Sequence, residues 1–363
     1  MGTVLISPLN WGLGHATRDI PIIRSLLEHG HEVTIAACGN ARSVLEQEFP
    51  SCPSREFPDY SVPFSASSLF LARFIASFPQ LLRGVARERR NLASLLAEKQ
   101  YDLIISDNRL GVYSADVPSL FISHQLHFHL PQALWPLELA SIGLNSYLHE
   151  KYDRVIVPDN PPGPRSLGGK LSRAETDATR DRAYYAGILT SMRVQDVDED
   201  LDYLVIISGP EPQRTELEHL LLPRVKDLPG TVAVLLGSPQ AAGTARQESE
   251  RCRILTYAST EEKELLMNRA RFIICRSGYT TMMELAELKK HRALLIPTPG
   301  QPEQEYLAEY YERQGWFHSR RQDLLDLAAD VQNAAKYHGL PDVPGTEANV
   351  RRLYDDVLAG YLE

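Results

Sequence analysis

Two residues far apart in the chain have the types needed to move a proton. His15 stands in "NWGLGHATRD" (10–19), directly after the apolar run "TVLIS", and Asp107 closes a second apolar run, "YDLIISD". An imidazole titrates near neutrality, at about 6.5, so it can take a proton from a hydroxyl as that oxygen attacks an electrophile. Such a base works best when a carboxylate orients it. Asp107, at the carboxyl end of an expected strand, is the better candidate, with Asp19 left open. Gly12 and Gly14 would remove side chains from the turn and let a substrate approach the backbone and the amino end of the following helix. The plainer alternative is a tight strand-to-helix turn, with His15 solvated or capping and Asp107 a cap or turn residue. Taken alone, the loop favours the plainer alternative.

A second constellation lies in "CRSGYTTMMELAELKKHRALLIPTPGQPEQEYLAE" (275–309), which reads as strand, Ser-Gly turn, helix, strand, Pro-rich turn and helix. Backbone amides from Gly278 through Tyr279, Thr280 and Thr281 would open a helix, a setting suited to a diphosphate without a metal. Glu284, in the first turns of that helix, could accept two hydrogen bonds from a ribose diol. Thr281-Met282-Met283-Glu284 also matches the capping-box pattern, in which the carboxylate would bond only to backbone. Spacing does not separate these two. An NAD fingerprint at the first loop fails, because Thr17 occupies the third glycine position and "VTIAACGN" ends without a ribose-binding acid.

These residues need elements to hold them. Ten strand-length apolar runs recur: "TVLIS", "HEVTIAAC", "YDLIISD", "PSLFISH" and "DRVIVPD", then "DYLVIIS", "TVAVLLG", "CRILTY", "RFIICRS" and "RALLIPT". Most are separated by amphipathic, helix-length stretches, which implies an α/β protein with parallel sheets covered on both faces. Between the two groups of five lies a Pro-, Gly- and charge-rich stretch, and a boundary is expected around residues 185–200. The division is drawn as 1–190, an amino-terminal domain; 191–345, a carboxyl-terminal domain; and 346–363, a closing helix. Both domains should be Rossmann-like and face each other across a cleft, with ligands beyond the carboxyl ends of the strands. Pro21 is placed in the first turn of the first helix and Gly30 at its far end. Val350, Leu353, Tyr354, Val357, Leu358 and Tyr361 have helical spacing, so the last segment should dock as an amphipathic helix.

The bulk numbers limit the alternatives. A chain of 363 residues with 43% hydrophobic content can build two cores, and a net charge of −9 makes nucleic acid a poor partner. Cys38, Cys52, Cys252 and Cys275 lack metal-ligand spacing and read as reduced and structural. No run approaches the ~20 apolar residues of a membrane span, and no leader is recognisable, so a cytoplasmic location is expected.

The segment 275–309 together with "WGLGHATRD" resembles glycosyltransferase family 28, the GT-B group that includes MurG and the diacylglycerol glycosyltransferases. Within it the chain is most similar to a bacterial branch itself likened to UDP-N-acetylglucosamine-dependent transferases. The resemblance covers about a third of the carboxyl domain strongly and the rest through the two-domain layout. It implies that His15 is the catalytic base, that Ser277, Gly278 and Glu284 bind the donor, and that Gln304, with Gln301 nearby, contacts the donor sugar. The family's next glutamine is Glu305 here, which leaves the sugar's identity open. Ser208 and Gly209 match a second family glycine loop, written here "SGPEPQR", and Arg214 is expected to neutralise donor phosphate. The uracil is expected near Tyr257. Trp11 and Leu13 replace small residues of MurG, so the acceptor should differ.

The acceptor region has further candidates. Asn108, Arg109 and His124 follow expected strands and would line it, with His127 and His129 in the same loop as His124 and no zinc spacing among the three. Residues 69–90 combine five arginines and one glutamate with aromatic and leucine side chains, on a helix expected to break at Pro79. They could rest on an anionic membrane, although a core-facing helix is favoured. The expectation is therefore an inverting, metal-independent, UDP-sugar-dependent hexosyltransferase acting on a lipid, glycan or small-molecule hydroxyl, with no cofactor beyond the nucleotide-sugar substrate. Two alternatives remain: a nucleotide-sugar epimerase of the same fold, which would need additional acidic groups around the sugar, and a nucleotide-sugar-binding protein without catalysis, which would need no base.

Overall fold

The structure is a computed structural model that describes residues 1–59, 70–126, 135–237, 245–249, 251–256 and 258–363. Tyr257, His127 and His129 lie outside the described residues, as do the side chains of residues 70–78. The chain forms two compact units: Met1–Ser191 with Val343–Glu363, and Met192–Asp342.

The first unit holds a seven-stranded sheet of β1 (Thr3–Pro8), β2 (Glu32–Ala37), β3 (Ser54–Glu56), β4 (Leu103–Asp107), β5 (Ser119–Ile122), β6 (Arg154–Val157) and β7 (Ala183–Tyr185). Its order is β3-β2-β1-β4-β5-β6-β7 and all pairings are parallel. The second unit holds β8 (Leu201–Ile206), β9 (Val232–Leu235), β10 (Ala245–Ser249), β11 (Cys252–Leu255), β12 (Ala270–Cys275), β13 (Ala293–Leu295) and β14 (His318–Ser319). Here the order is β10-β11-β9-β8-β12-β13-β14, six parallel strands with antiparallel β10 on one edge. Central strands such as Leu103–Asp107 are buried along their whole length because helices cover both faces.

Strand order fixes where chemistry can sit. In each unit the chain winds outward from its first strand in one direction, then reverses. The reversal falls between β1 and β4 in the first unit and between β8 and β12 in the second. At such a switch point the connections leave in opposite directions and open a crevice beyond the strand carboxyl ends. "NWGLGH" follows β1 and Asp107 ends β4; Ser208-Gly209 follows β8 and the Ser277-Gly278 turn follows β12.

Helix α1 (Leu13–Glu28) begins earlier than expected. Gly12, with φ 106°, makes the turn that only glycine enters cheaply, so Leu13, Gly14 and His15 already belong to the first turn. Pro21 consequently lies in the helix interior and not in its first turn. Helices α2 (Gly39–Glu48), α3 (Phe70–Glu98), α4 (Trp135–His149) and the single turn α5 (Asp177–Arg180) complete this part of the unit. Helix α3 runs continuously through Pro79, correcting the expected break. The second unit carries α6 (Gln213–Val225), α7 (Thr260–Arg269), α8 (Tyr279–Glu287), α9 (Pro302–Arg313) and α10 (Leu327–Ala334).

The chain then returns to the first unit through α11 (Thr346–Leu353), a π-helical turn (Tyr354–Leu358) and α12 (Ala359–Leu362). Val350, Leu353, Tyr354, Val357 and Leu358 enter the same core as Ile20, Ile23 and Leu26 of α1, while Tyr361 packs at its margin. Burial of that apolar face holds the carboxyl terminus, since each fully buried large aliphatic side chain is worth about 1.5–3 kcal/mol. No helix among the described residues is long and apolar enough to cross a membrane.

Candidate active site

In the first unit, the end of β1 is tied down before α1 begins. Leu9 N–H donates to Asp107 O at 3.0 Å, Asn10 N–H donates to Asp59 Oδ2 at 3.0 Å, and Asn10 Oδ1 accepts from Ala41 N–H at 2.9 Å. The β1–β4 register sets Pro8 opposite Asp107, so the first turn of α1 starts beside that carboxylate. His15 and Arg18 are three residues apart on the helix and share a face. His15 Nδ1 lies 2.7 Å from Asp107 Oδ1, Arg18 Nε donates to Asp107 Oδ2 at 2.6 Å, and Arg18 Nη2 donates to Oδ1. An ionised carboxylate only accepts hydrogen bonds, so the His15 proton sits on Nδ1 and Nε2 carries the lone pair.

The electrostatics agree with that assignment. Burial lowers the His15 pKa below 6.5, Asp107 opposes the shift, and Arg18 and His124 add to it. His15 is therefore neutral at pH 7 and able to accept a proton. Burial pushes the Asp107 carboxyl up, but Arg18 and His15 outweigh it and hold the group well below the usual carboxylate range. Asp19, fully buried, goes the other way: burial first and the Asp107 charge second raise it well above its ordinary value. Among the described residues it is Asp107, and not Asp19, whose carboxylate lies at hydrogen-bond distance from His15.

The remaining acceptor candidates separate. His124, just past β5, is 9% exposed and its Nδ1 lies 3.2 Å from Arg18 Nη1, which brings it into the same cluster. Trp11 and Leu13 are 38% and 43% exposed at the mouth of the loop. Asn108 is half-buried with φ 55°, a left-handed conformation that Asn tolerates better than most residues. Arg109 corrects the expectation of an acceptor contact, because it is 0% exposed. Its guanidinium donates to Glu88 Oε1 at 2.9 Å, to Pro8 O at 2.9 Å, to Phe57 O at 3.0 Å and to Asp59 Oδ1. It ties the end of β1 at Pro8 to Phe57 and Asp59. Glu88, on α3, faces inward to meet it, and burial raises that carboxyl to about 7.

In the second unit the cluster forms around Gln304. Its backbone oxygen accepts from Ser277 Oγ at 2.8 Å, its Oε1 accepts from Thr298 N–H at 2.9 Å, and its Nε2 donates to Gln301 Oε1 at 2.7 Å. A side chain on Gly278 would begin 3.9 Å from Gln304 Nε2. Helix α8 starts here without a side-chain cap, leaving the helix opening at Tyr279, Thr280 and Thr281 to backbone amides. Tyr279 is buried, whereas Thr280 and Thr281 are half-buried. Gly278 and not Thr281 is the cap residue, so the capping-box alternative for Glu284 falls away. Both Glu284 oxygens instead meet the Lys263 ammonium, each at 2.7 Å.

Arg214 is corrected as well. Its guanidinium donates to Glu211 Oε1 at 2.6 Å, to Glu218 Oε2 at 2.8 Å and to Leu236 O at 3.0 Å, so its charge is already balanced within α6 and its approach. The cation at the switch point is Arg276, which sequence reasoning missed. It is 2% exposed and donates to Gln213 O at 2.9 Å, Pro297 O at 3.1 Å and Ile296 O at 3.2 Å, with Nε 3.4 Å from Ser208 O. Burial lowers it to about 10, so it remains charged at neutral pH. A side chain on Gly209, which has φ 120°, would begin 4.0 Å from Arg276 Nε and 3.7 Å from Thr298 Oγ1. Ser208, Gly209, Ser277, Gly278, Gln301 and Gln304 therefore converge, while Glu284 lies further along α8. Among the described residues no group of His, Cys, Asp and Glu could hold a metal ion.

This architecture is the GT-B fold. A glycosyltransferase of kitacinnamycin shares it with a TM-score of 0.64 and 13% identity over 100% of this chain and 99% of that one. MurG of Acinetobacter baumannii matches with a TM-score of 0.58 and 13% identity over 99% and 100% of the two chains. The spinosyn rhamnosyltransferase SpnG complexed with thymidine diphosphate matches with 0.57 and 14% over 99% and 96%. In sequence, a protein of Methanosarcina acetivorans described as an uncharacterized glycosyltransferase is 25% identical over 327 residues, 84% of this chain and 82% of its own length. No protein-family model matches. Fold and relatives together define a glycosyltransferase-like enzyme of GT-B architecture.

Proposed function

We propose that the chain is an inverting, metal-independent glycosyltransferase of the MurG-like family 28 type, transferring a hexosyl group from a UDP-linked sugar such as UDP-N-acetylglucosamine. The observation that carries this reading is the buried contact of His15 Nδ1 with Asp107, which leaves Nε2 as a neutral base at the switch point of the first unit. The second unit is assigned the donor and the first the acceptor.

In the proposed reaction an acceptor hydroxyl attacks the anomeric carbon while His15 Nε2 takes its proton. The new C–O bond forms as the bond from that carbon to the β-phosphate oxygen breaks, and the nucleoside diphosphate leaves with the electron pair. Attack opposite the leaving group inverts the anomeric centre. The first-turn amides of α8 and the buried charge of Arg276 are suited to the diphosphate as its negative charge grows. Gln301 and Gln304 are assigned to the sugar and Glu284 to the ribose diol. Exposed Trp11 and Leu13 favour an acceptor with an apolar body, such as a lipid or an aglycone. Exposed Leu82, Arg83 and Arg90 of α3 would suit contact with an anionic lipid surface at the cytoplasmic face.

Thermal shift with UDP, TDP, GDP and NAD tests the donor, followed by mass spectrometry of the winning nucleotide sugar with lipid extract. UDP should stabilise most, and a glycosylated product should appear. His15→Ala should lose about 10²- to 10⁴-fold in turnover with donor affinity unchanged. Turnover unaltered in His15→Ala would remove the base, and stabilisation by none of the nucleotides would remove the donor assignment.

A further inference from the structure

We propose that Arg18 is a positioning residue that fixes opposite proton placements on two imidazoles, Nδ1–H on His15 and Nε2–H on His124. The cluster thereby leaves His15 as its base and closes His124 Nδ1 to that role. The proposal rests on the transfer reading for its purpose, but not for its geometry.

A guanidinium has five N–H donors, no acceptor, and a charge that persists at any physiological pH. Arg18 is 1% exposed, so its fork is held among protein partners. Two of its nitrogens are spent on Asp107, through Nε and Nη2. Its third, Nη1, approaches His124 Nδ1 at 3.2 Å. Because Arg18 can only donate, that His124 nitrogen must offer a lone pair, and a neutral ring then carries its hydrogen on Nε2. A proton on both ring nitrogens would set an N–H against an N–H beside a buried cation.

The opposite assignment holds at His15. Its Nδ1 faces Asp107 Oδ1 at 2.7 Å, and the carboxylate can only accept. Arg18 Nη2 comes within 2.9 Å of the same Nδ1 because both groups converge on Oδ1, not because the ring accepts there. One arginine therefore holds Asp107 ionised for His15 while directly fixing His124. The consequence is selective: His124 cannot act as a second base through a nitrogen that already carries hydrogen, and His15 is the base by position. Among the described residues, the charged and titratable groups facing Arg18 include His15 and Asp19 from α1, Asp107 from β4, and His124 beyond β5.

The test is long-range ¹H–¹⁵N correlation of the imidazole nitrogens in the full-length chain labelled at histidine, near pH 7.5. His15 Nε2 and His124 Nδ1 should both show the shift of an unprotonated ring nitrogen. In Arg18→Met, which has no N–H to donate, His124 should gain a population with Nδ1–H, while Arg18→Lys, which retains a charged donor, should keep the wild-type pattern. Nδ1–H on His124 in the wild type overturns the proposal without need of any variant, as does an unchanged His124 pattern in a folded Arg18→Met. These spectra need no substrate. The stated pattern in a protein that transfers no sugar would overturn the transfer reading alone, and the reverse pattern in an active enzyme would overturn this proposal alone.

Discussion

Both carboxylate oxygens of Glu284 lie 2.7 Å from the ammonium of Lys263, and Glu284 is 2% exposed whereas the Lys263 side chain is 28% exposed. A buried carboxylate assigned to a ribose diol thus begins with its acceptor capacity directed at a cation from α7. The two substitutions should differ. Lys263→Met strands a charge and should destabilise the second unit by about 1–3 kcal/mol, less than a fully buried pair because Lys263 is partly solvated. Glu284→Gln leaves a mobile lysine and should cost little stability, but it should weaken nucleotide binding by about tenfold or more. Calorimetric melting and nucleotide titration of both variants check this. Equal nucleotide affinity in Glu284→Gln and wild type would remove Glu284 from the donor site.

The acidic limb of the rate profile should report His15. Its pKa is lowered below 6.5, mainly by burial, so turnover should rise through an apparent pKa below 6.5 and be level at neutral pH. Asp107→Asn removes the charge and lets an amide N–H compete for Nδ1, which would place the imidazole proton on the wrong nitrogen. A loss of about 10²- to 10⁴-fold in kcat is expected with nucleotide affinity kept. Steady-state rates from pH 5 to 9 measure both. A plateau that begins only above pH 7.5 in the wild type would contradict a neutral, buried base.

What could be read from the sequence, and what could not, follows from burial. All ten apolar runs became strands, since a strand covered on both faces has to be apolar throughout. The strands not foreseen, β3, β7, β10 and β14, are the outermost of the two sheets. Ser54–Glu56 and Ala183–Tyr185 have no fully buried position, so they carry no two-faced apolar signal. In the site, His15 and Asp107 were visible because residue type and position at strand ends agree. Arg18 was in the same ten residues, three positions after His15, and the helical spacing could have found it. Arg276 could not be separated from other arginines by type, because its role comes from carbonyls at 208, 213, 296 and 297 that the strand order gathers. The same local pattern misled at Arg214, whose partners Glu211 and Glu218 are sequence neighbours at helical spacing.

His149 should make the first unit sensitive to mild acid. It ends α4, is 2% exposed, and sits with Nδ1 3.3 Å from Thr179 Oγ1 and its ring beside Phe121. Burial lowers it to about 4. The unfolded chain binds this proton near 6.5 and the folded chain only near 4. Its stabilising contribution is therefore complete above pH 6.5 and is lost as pH falls towards 4, by up to about 3 kcal/mol at 1.36 kcal/mol per pKa unit. His149→Gln removes the titration, so urea unfolding at pH 7.0, 6.0, 5.0 and 4.5 should show a shallower decline than the wild type. Parallel declines would mean that His149 is protonated in the folded protein.

Arg276 joins the loop after β8 to the turn after β13 by donating to backbone oxygens on both. The arrangement makes a distinction between charge and shape measurable. Arg276→Lys keeps the cation but can reach fewer of these oxygens, because an ammonium is a point donor while the guanidinium is a planar fork. Arg276→Met keeps much of the volume and loses both the charge and the hydrogen bonds, leaving buried carbonyls unpaired. The methionine variant should therefore lose about 2–4 kcal/mol of stability and the lysine variant about half as much. Nucleotide diphosphate affinity should fall in both, more steeply in methionine, while affinity for the corresponding nucleoside should change little in a folded variant. Isothermal titration with the diphosphate and the nucleoside separates the two contributions. An equal loss for both ligands would mean that Arg276 only holds the loops, whereas a selective loss for the diphosphate would mean that its buried charge also acts on phosphate.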